Sequence, residues 1–418
     1  MSATSSSACA ADAAPSRRRL LGHLGWYGAA EVAGRVTRLA TTVVLARQLE
    51  SVELGVAAAA LTGFEIIRAL VNSGLGQALI RAPQEQLAAT CATVNRLAWA
   101  MCCAVAAFQA AIGLGMQAMG IGGGAGLMLA VLAGVYLVMA PGLVPVYLIL
   151  RDQRLHVTAG VSVAQVVADN VLTILLVLAG FGAWGVVLPK LLVAPIWLAG
   201  VRRAQPWRRD RAAGFAPAGP LLRYAGPVLG ADLLVTARMN LDNLLVGSIL
   251  GVEALGFYFF IFNAGIGFSL SLTSALSNVL FPHLAAARGD RAALVRAFDR
   301  ALRSIVPGVA ALIALQAAAA IFYVPLVFGA RWEGAAMLVA LLCASAVTRP
   351  FADAGSQLLR AAGAARTDLF ISAANTIVYL SVFAACLPFG LSIAITALTL
   401  TATVLQVGAV LVARHTVR

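Results

Sequence analysis

Six basic residues lie inside long apolar runs of the chain: Arg35, Arg38, Arg68, Lys190, Arg238 and Arg349. A charge at lipid depth costs roughly 2.5–3.5 kcal/mol on insertion scales, so such residues face a cavity or a partner. Guanidinium groups offer paired donors to phosphate oxygens, so the chemistry these positions suit is binding of a phosphate-bearing anion. Arg38 and Arg238, one in each half of the chain at similar depth, are the leading candidates for a headgroup clamp. Arg35 and Arg68 come next. Lys190, the sole lysine in the sequence, is followed by Pro195 in the same run and could line the same cavity. Internal pairing is the competing reading. Glu31 and Arg35 are four apart, as are Arg238 and Asp242, and Arg349 and Asp353, while Glu65 and Arg68 are three apart. All four pairs share a helix face. A paired arginine then only satisfies its neighbour or forms a gate between halves. Asp242 with Asn243 sits near one end of its helix, where packing or gating competes with substrate contact. Asp169 and Asn170 lie deep in another run, where an unpaired acid could bind a coupling cation.

The elements that must hold these residues are membrane helices. The chain has 418 residues, 61% of them hydrophobic and 11% charged, with a mean hydropathy of +0.91. A spanning helix needs about 20 apolar residues, and such runs recur from Leu24 to Val412. The fold class is therefore an all-α polytopic membrane protein with about twelve spans. Residues 1–20 form a cytoplasmic amino-terminal segment, expected to be disordered as far as Ser16. Residues 21–201 carry the first six spans. The Arg-, Pro- and Gly-rich stretch 202–220 links the halves, residues 221–413 carry the second six, and residues 414–418 form a cytoplasmic tail. The Arg17–Arg19 run ahead of the first span resembles a signal anchor, and the long helix after it lacks a convincing cleavage site.

Charge distribution tests this map. With the amino terminus cytoplasmic and the loops alternating, 22 of the 30 basic residues fall on the cytoplasmic side and only Arg47 and Arg331 on the other; six remain inside spans. Both termini are then cytoplasmic. The net charge of +13 reflects these clusters and not nucleic-acid binding, because the arginines form no stripe among aromatics. The segment from Gly289 to Arg303 repeats Leu294, Phe298 and Leu302 between arginines. It reads as a basic amphipathic helix capped by Asp290, lying along the cytoplasmic interface or serving as a plain connection.

Several function classes are excluded or disfavoured. The six cysteines show no metal spacing and read as small buried hydrophobes, and the four histidines fall near helix ends. No GxxxxGK[ST] exists, and the single lysine excludes a P-loop. There is no Ser–His constellation, no DxD-like site and no sizeable soluble domain. The chain is read as neither an enzyme nor the holder of any cofactor or metal.

An internal echo relates the halves. Leu49–Gly55 (LESVELG) aligns with Leu250–Gly256 (LGVEALG), matching Leu49 to Leu250, Leu54 to Leu255 and Gly55 to Gly256 at 250 − 49 = 201 residues. The same shift brings Arg38 within one place of Arg238. Repeated halves with sites at their interface are a common transporter construction.

The run LDNLLVGSILGVEALGFY, together with the first-half run VVLARQLESVELGVAAAALTGFEIIRALVNSGLGQALIRA, resembles the polysaccharide-transporter branch of the multidrug/oligosaccharidyl-lipid/polysaccharide flippase superfamily. NVLFPHLAAARGD and RPFADAGSQLLRAAGAARTD fall where that family places comparable segments, so the resemblance spans roughly Trp26 to Asp368. It implies two six-helix lobes packed as a V around a central cavity, with alternating access. It also implies transfer of undecaprenyl-diphosphate-linked oligosaccharide from the cytoplasmic to the periplasmic leaflet, in the bacterial inner membrane, for O-antigen, capsule or exopolysaccharide. Many relatives carry fourteen spans against about twelve here. Export pathways often use polymerases and chain-length regulators as partners, and no surface for either is legible. A cation-coupled multidrug exporter of the same superfamily is the rival; its usual cargo calls for acids and few bases, whereas intramembrane bases here at least match acids. A lipid II flippase is a third option with nothing to favour it.

Overall fold

A computed structural model describes residues 34–71, 75–286 and 290–417. Glu31, the Arg17–Arg19 run and the amino-terminal segment lie outside these residues, as does the side chain of Arg238.

The described residues form helices in the expected order. The first half comprises α1 (34–48), α2 (Ser51–Arg68), α3 (Leu75–Ile80) and α4 (Leu87–Ala118). Then follow α5 (Ala125–Leu132), α6 (Gly134–Met139), α7 (Leu143–Arg151), α8 (Leu155–Leu178) and α9 (Trp184–Ala204). The second half comprises α10 (Ala218–Ile249), α11 (Val252–Ala286), α12 (Arg291–Ser304) and α13 (Val306–Tyr323). It closes with α14 (Glu333–Ser345), α15 (Arg349–Ala361), α16 (Ala365–Cys386) and α17 (Leu391–Val417). Eight stretches among the described residues are long and apolar enough to cross a membrane by length and composition. These include α4, the broken run α5–α7, α8, α9, α16 and α17.

Local sequence explains the breaks. Pro141 sits in a 3₁₀ turn, Ala140–Gly142, between α6 and α7, and Pro350 sits in the first turn of α15, where its missing N–H costs nothing. Between α4 and α5 the chain turns through Gly120, Gly122, Gly123 and Gly124, all at positive φ, which glycine alone adopts without strain. Glu50 and Glu53 close a capping box at the start of α2, the Glu50 N–H donating to Glu53 Oε2 at 3.1 Å.

The halves meet where the internal echo lies. A Cβ on Gly55 of α2 would fall 1.8 Å from the Val252 carbonyl oxygen, and one on Gly256 of α11 would fall 1.8 Å from that of Ser51. The matched glycines thus let α2 and α11 cross backbone to backbone, each against the other's first turn. The two arginines isolated at the Arg-poor end reinforce this crossing. Arg47 Nε donates to the Val327 carbonyl at 3.0 Å, and Arg331 donates to the Leu49 carbonyl. Trp332 donates its indole N–H to the Ala46 carbonyl at 2.7 Å and stacks on Phe260 at 3.8 Å between centroids. At the Arg-rich end, the linker folds onto α4: the Ala216 carbonyl accepts from Thr93 Oγ1 at 2.9 Å, and Phe215 lies against Arg209 and Arg96.

The expected amphipathic helix is α12, and Asp290 caps it by accepting from the Ala292 N–H at 2.8 Å. Its buried residues, Leu294 and Phe298, join a cluster with Leu280 and Leu284 of α11, Leu358 of α15 and Val417 of α17. Protein covers that face, while Arg291, Arg296, Arg300 and Arg303 are exposed. Cys91, Cys102 and Cys343 are buried as small hydrophobes, and Cys103 is exposed.

Candidate functional site: two cavities flanking one helix

α11 separates two cavities of different chemistry. On one side, two adjoining hollows of about 360 and 300 Å³ share Val166, Asp169 and Lys190. The first is lined by Glu65 and Arg68 of α2, Gln165 of α8 and Trp197 of α9. The second is lined by Arg38, Thr41 and Thr42 of α1, Asn170 and Thr173 of α8, and Phe259, Phe260 and Asn263 of α11. Three bases (Arg38, Arg68, Lys190) face two acids (Glu65, Asp169), so the first-half cavity carries 3 − 2 = +1.

Its charges are held differently. Arg68 donates to Glu65 Oε2 through Nη2 at 2.6 Å and Nε at 3.1 Å, and its guanidinium lies 6.0 Å from the Phe64 ring centre. The i,i+3 pair read from the sequence therefore forms. Lys190 Nζ donates to Asp169 Oδ2, while Asp169 Oδ1 is buried with no hydrogen-bond partner among the described residues. Beside them, Asn170 Nδ2 donates to Thr37 Oγ1 at 3.3 Å, and Thr41 Oγ1 reaches Asn170 Oδ1 at 3.3 Å, tying α8 to α1. Arg38 is exposed at the rim and pairs with no carboxylate among the described residues. Arg35 is exposed one turn earlier on α1 and lines neither hollow.

On the other side of α11, a cavity of about 390 Å³ is lined by Phe262 and Ile266 of that helix, by α10, and by α15, α16 and α17. Among the described residues its charged side chains are Asp242, Arg349, Asp353, Arg360 and Asp368, giving 2 − 3 = −1. Asp242 is buried; its Oδ2 accepts from the Tyr258 hydroxyl at 2.8 Å and its Oδ1 from the Asn243 N–H at 2.9 Å. Asn243 Oδ1 is buried without a partner among the described residues. The i,i+4 pair of Arg349 and Asp353 forms loosely, at 3.9 Å between Nε and Oδ2. Arg360 and Asp368, eight residues apart, pair at 2.7 Å.

The structure thus brings Arg38, Arg68, Lys190 and Glu65 together in one cavity and Asp242, Arg349 and Asp353 in the other. The partners of Lys190 and Asp242 escape sequence reasoning. Asp169 lies 21 residues before Lys190 and Tyr258 lies 16 after Asp242, each on a different helix, so no helical spacing reveals them. The acid at position 169 was visible; that it neutralises the single lysine was not. Among the described residues, no group of three or more His, Cys, Asp or Glu could hold a metal ion.

The fold defines the class. The chain overlays an inward-facing multidrug resistance MATE family transporter of the MOP superfamily with a TM-score of 0.71, covering 92% of this chain and 94% of that one at 16% identity. The lipid II flippase MurJ, in an inward closed conformation, overlays with a TM-score of 0.71, covering 94% and 87% at 11% identity. The chain thus shares the all-helical fold of these two membrane transporters. Residues 44–337 match the family model described as polysaccharide biosynthesis protein, and the chain belongs to that family. It is also 31% identical over 157 residues to the lipopolysaccharide biosynthesis protein WzxC of Escherichia coli (strain K12), a stretch covering 37% of this chain and 31% of that protein. The match thus spans about a third of the length of the curated relative.

Proposed function

We propose that this multi-pass membrane protein is a flippase that moves an undecaprenyl-diphosphate-linked oligosaccharide from the cytoplasmic to the periplasmic leaflet of the bacterial inner membrane. The observation that carries the proposal is the excess of bases over acids in the first-half cavity. An anionic headgroup leaving water must have its charge compensated, and Arg38 stands at the rim, paired with no carboxylate among the described residues, while Lys190 lies within, held by Asp169. Arg68 gives weaker support, because Glu65 already engages two of its nitrogens. The clamp proposed here is that of the first-half cavity; Arg238, the second-half counterpart read from the sequence, has its side chain outside the described residues. The lobes are residues 21–201 and 221–413, joined by the linker 202–220. Their close crossing at Gly55 and Gly256 supports a closed Arg-poor end, which the positive-inside rule would make periplasmic, with both termini cytoplasmic. Access is then from the cytoplasm, where the lipid-linked unit is made. A polymerase and a chain-length regulator would take the product on the far side.

One observation favours a second reading. The acidic cavity beyond α11 suits a cation, as in a cation-coupled multidrug exporter. The test replaces Arg38 and Lys190 by alanine and glutamine in the native host, scoring surface polysaccharide against membrane levels of the protein. The flippase reading expects polysaccharide to be lost, protein to persist, and lipid-linked units to accumulate on the cytoplasmic face. Normal export from both variants would overturn it.

A further inference from the structure

The cavity beyond α11 has chemistry that a diphosphate clamp does not use. Its described lining holds three carboxylates against two guanidinium groups, a balance less suited to a phosphate than that of the first-half cavity. Polar groups crowd its walls, and several are uncommitted among the described residues: the hydroxyls of Ser356, Ser372 and Tyr379, and the amide of Asn375. Among the described residues Gln406 spends only its oxygen, accepting from Thr348 Oγ1 at 2.6 Å, and its two N–H donors meet no partner there. Asp353 holds Arg349 only at 3.9 Å, beyond hydrogen-bond reach, so its carboxylate has acceptor capacity to spare.

Neutral donors and acceptors mixed with carboxylates form the complement of a ligand bearing many hydroxyl groups. A hydroxyl donating to a carboxylate makes a charge-assisted bond, and one accepting from a side-chain amide completes the pattern. The rings of Phe262 and Tyr379 give the same cavity an apolar wall for the C–H face of a pyranose. A drug-like cation would leave most of these hydrogen-bonding groups unmatched.

We infer that the cavity between α10, α11 and α15–α17 is a carbohydrate subsite that binds sugar residues of the cargo while the first-half cavity holds its diphosphate. The inference rests on the flippase reading above and divides the cargo between the halves. Asn375, Gln406 and Asp353 are its specificity residues, and α11 is the wall the cargo straddles.

The test measures binding to the purified full chain in neutral phosphatidylcholine nanodiscs. Two probes are compared: undecaprenyl diphosphate, and the glycolipid fraction that accumulates in a host strain deleted for this protein. Wild type is expected to bind the glycolipid about tenfold more tightly than the bare diphosphate. Asn375→Ala and Gln406→Ala should erase that advantage and leave the bare diphosphate unaffected. Lys190→Gln should weaken both probes. Gln406→Glu keeps the acceptor for Thr348 and removes the two donors, so it gives the same answer if the alanine variant fails to fold. Equal wild-type affinity for the two probes overturns the subsite. Equal weakening of both probes by the Asn375 and Gln406 variants does so too. An advantage that vanishes in wild type when sodium is replaced by N-methylglucamine marks a cation site and overturns it as well. If wild type binds neither probe, or the deletion strain accumulates no glycolipid, the flippase reading itself falls and takes the subsite with it.

Discussion

The two cavities are built from related halves, yet they differ in sign and in how their charges are kept. In the first half, Lys190 and Asp169 meet across two helices and Arg38 at the rim pairs with no carboxylate among the described residues, whose charges sum to a net positive lining. In the second, Asp242 accepts from a tyrosine hydroxyl, Arg360 pairs closely with Asp368 and Arg349 only loosely with Asp353, leaving a net negative lining among the described residues that is rich in neutral hydrogen-bonding groups. Sequence repetition fixed the crossing of α2 and α11, where backbone must touch backbone and only glycine fits. It did not fix the cavity linings, because a side chain there answers to its ligand and not to the partner half.

The change with the largest expected effect strikes both cavities at once. Gly55→Val or Gly256→Val forces α2 and α11 apart, because even a Cβ falls 1.8 Å from a carbonyl oxygen. Each should cost several-fold in folded protein, read as membrane level and thermal midpoint, and should abolish export. Normal yield and export from either would detach the crossing from the cavities.

Next comes the ion pair of the positive cavity. Lys190→Met leaves Asp169 without its partner. The loss should be about 2 kcal/mol, below the ~3–5 kcal/mol typical of a fully buried pair, because the Lys190 side chain is 35% exposed. The reciprocal exchange, Lys190→Asp with Asp169→Lys, should recover thermal stability while shifting the positive charge to α8. Recovery of stability without export would show that the position of the cation matters and not only its neutralisation.

Tyr258→Phe probes the negative cavity alone. Removing the hydroxyl takes one of the two hydrogen bonds from a buried carboxylate, at a cost of about 1–3 kcal/mol in unfolding free energy. Binding of bare undecaprenyl diphosphate should be unchanged. The smallest structural effect is expected of Arg38→Ala. An exposed side chain with no carboxylate partner among the described residues contributes little to stability, so the unfolding free energy should move by no more than the scatter typical of surface changes, about 0.5 kcal/mol. Transport should nonetheless fall, and that split separates a ligand-facing arginine from a structural one.

Much of the fold was legible because it obeys local rules. Apolar run length, arginine clustering and the Asp290 cap anticipated the helices and the Arg-rich end. The pairs Glu65–Arg68 and Arg349–Asp353 were readable from helical spacing. What stayed hidden was non-local. No periodicity links Asp169 to Lys190, or Asp242 to Tyr258, since each pair is joined only when separate helices pack. Arg47 and Arg331 looked like exceptions to the charge asymmetry. The fold gives them a role, because each caps carbonyls of the opposite half at the Arg-poor end. The split of charge between the cavities could not be read at all, because it depends on which face each helix turns toward α11.

The most direct test of the central claim places a photoreactive residue at Val166, which lines both hollows of the positive cavity, or at Ile371, which lines the negative one. Each variant is illuminated in native-host membranes carrying phosphate-labelled polyprenyl diphosphate, and radiolabel on the protein is counted. Label attached through position 166, with little through position 371, is the expected result. Label attached through position 371 alone would contradict the account and put the headgroup on the wrong side of α11.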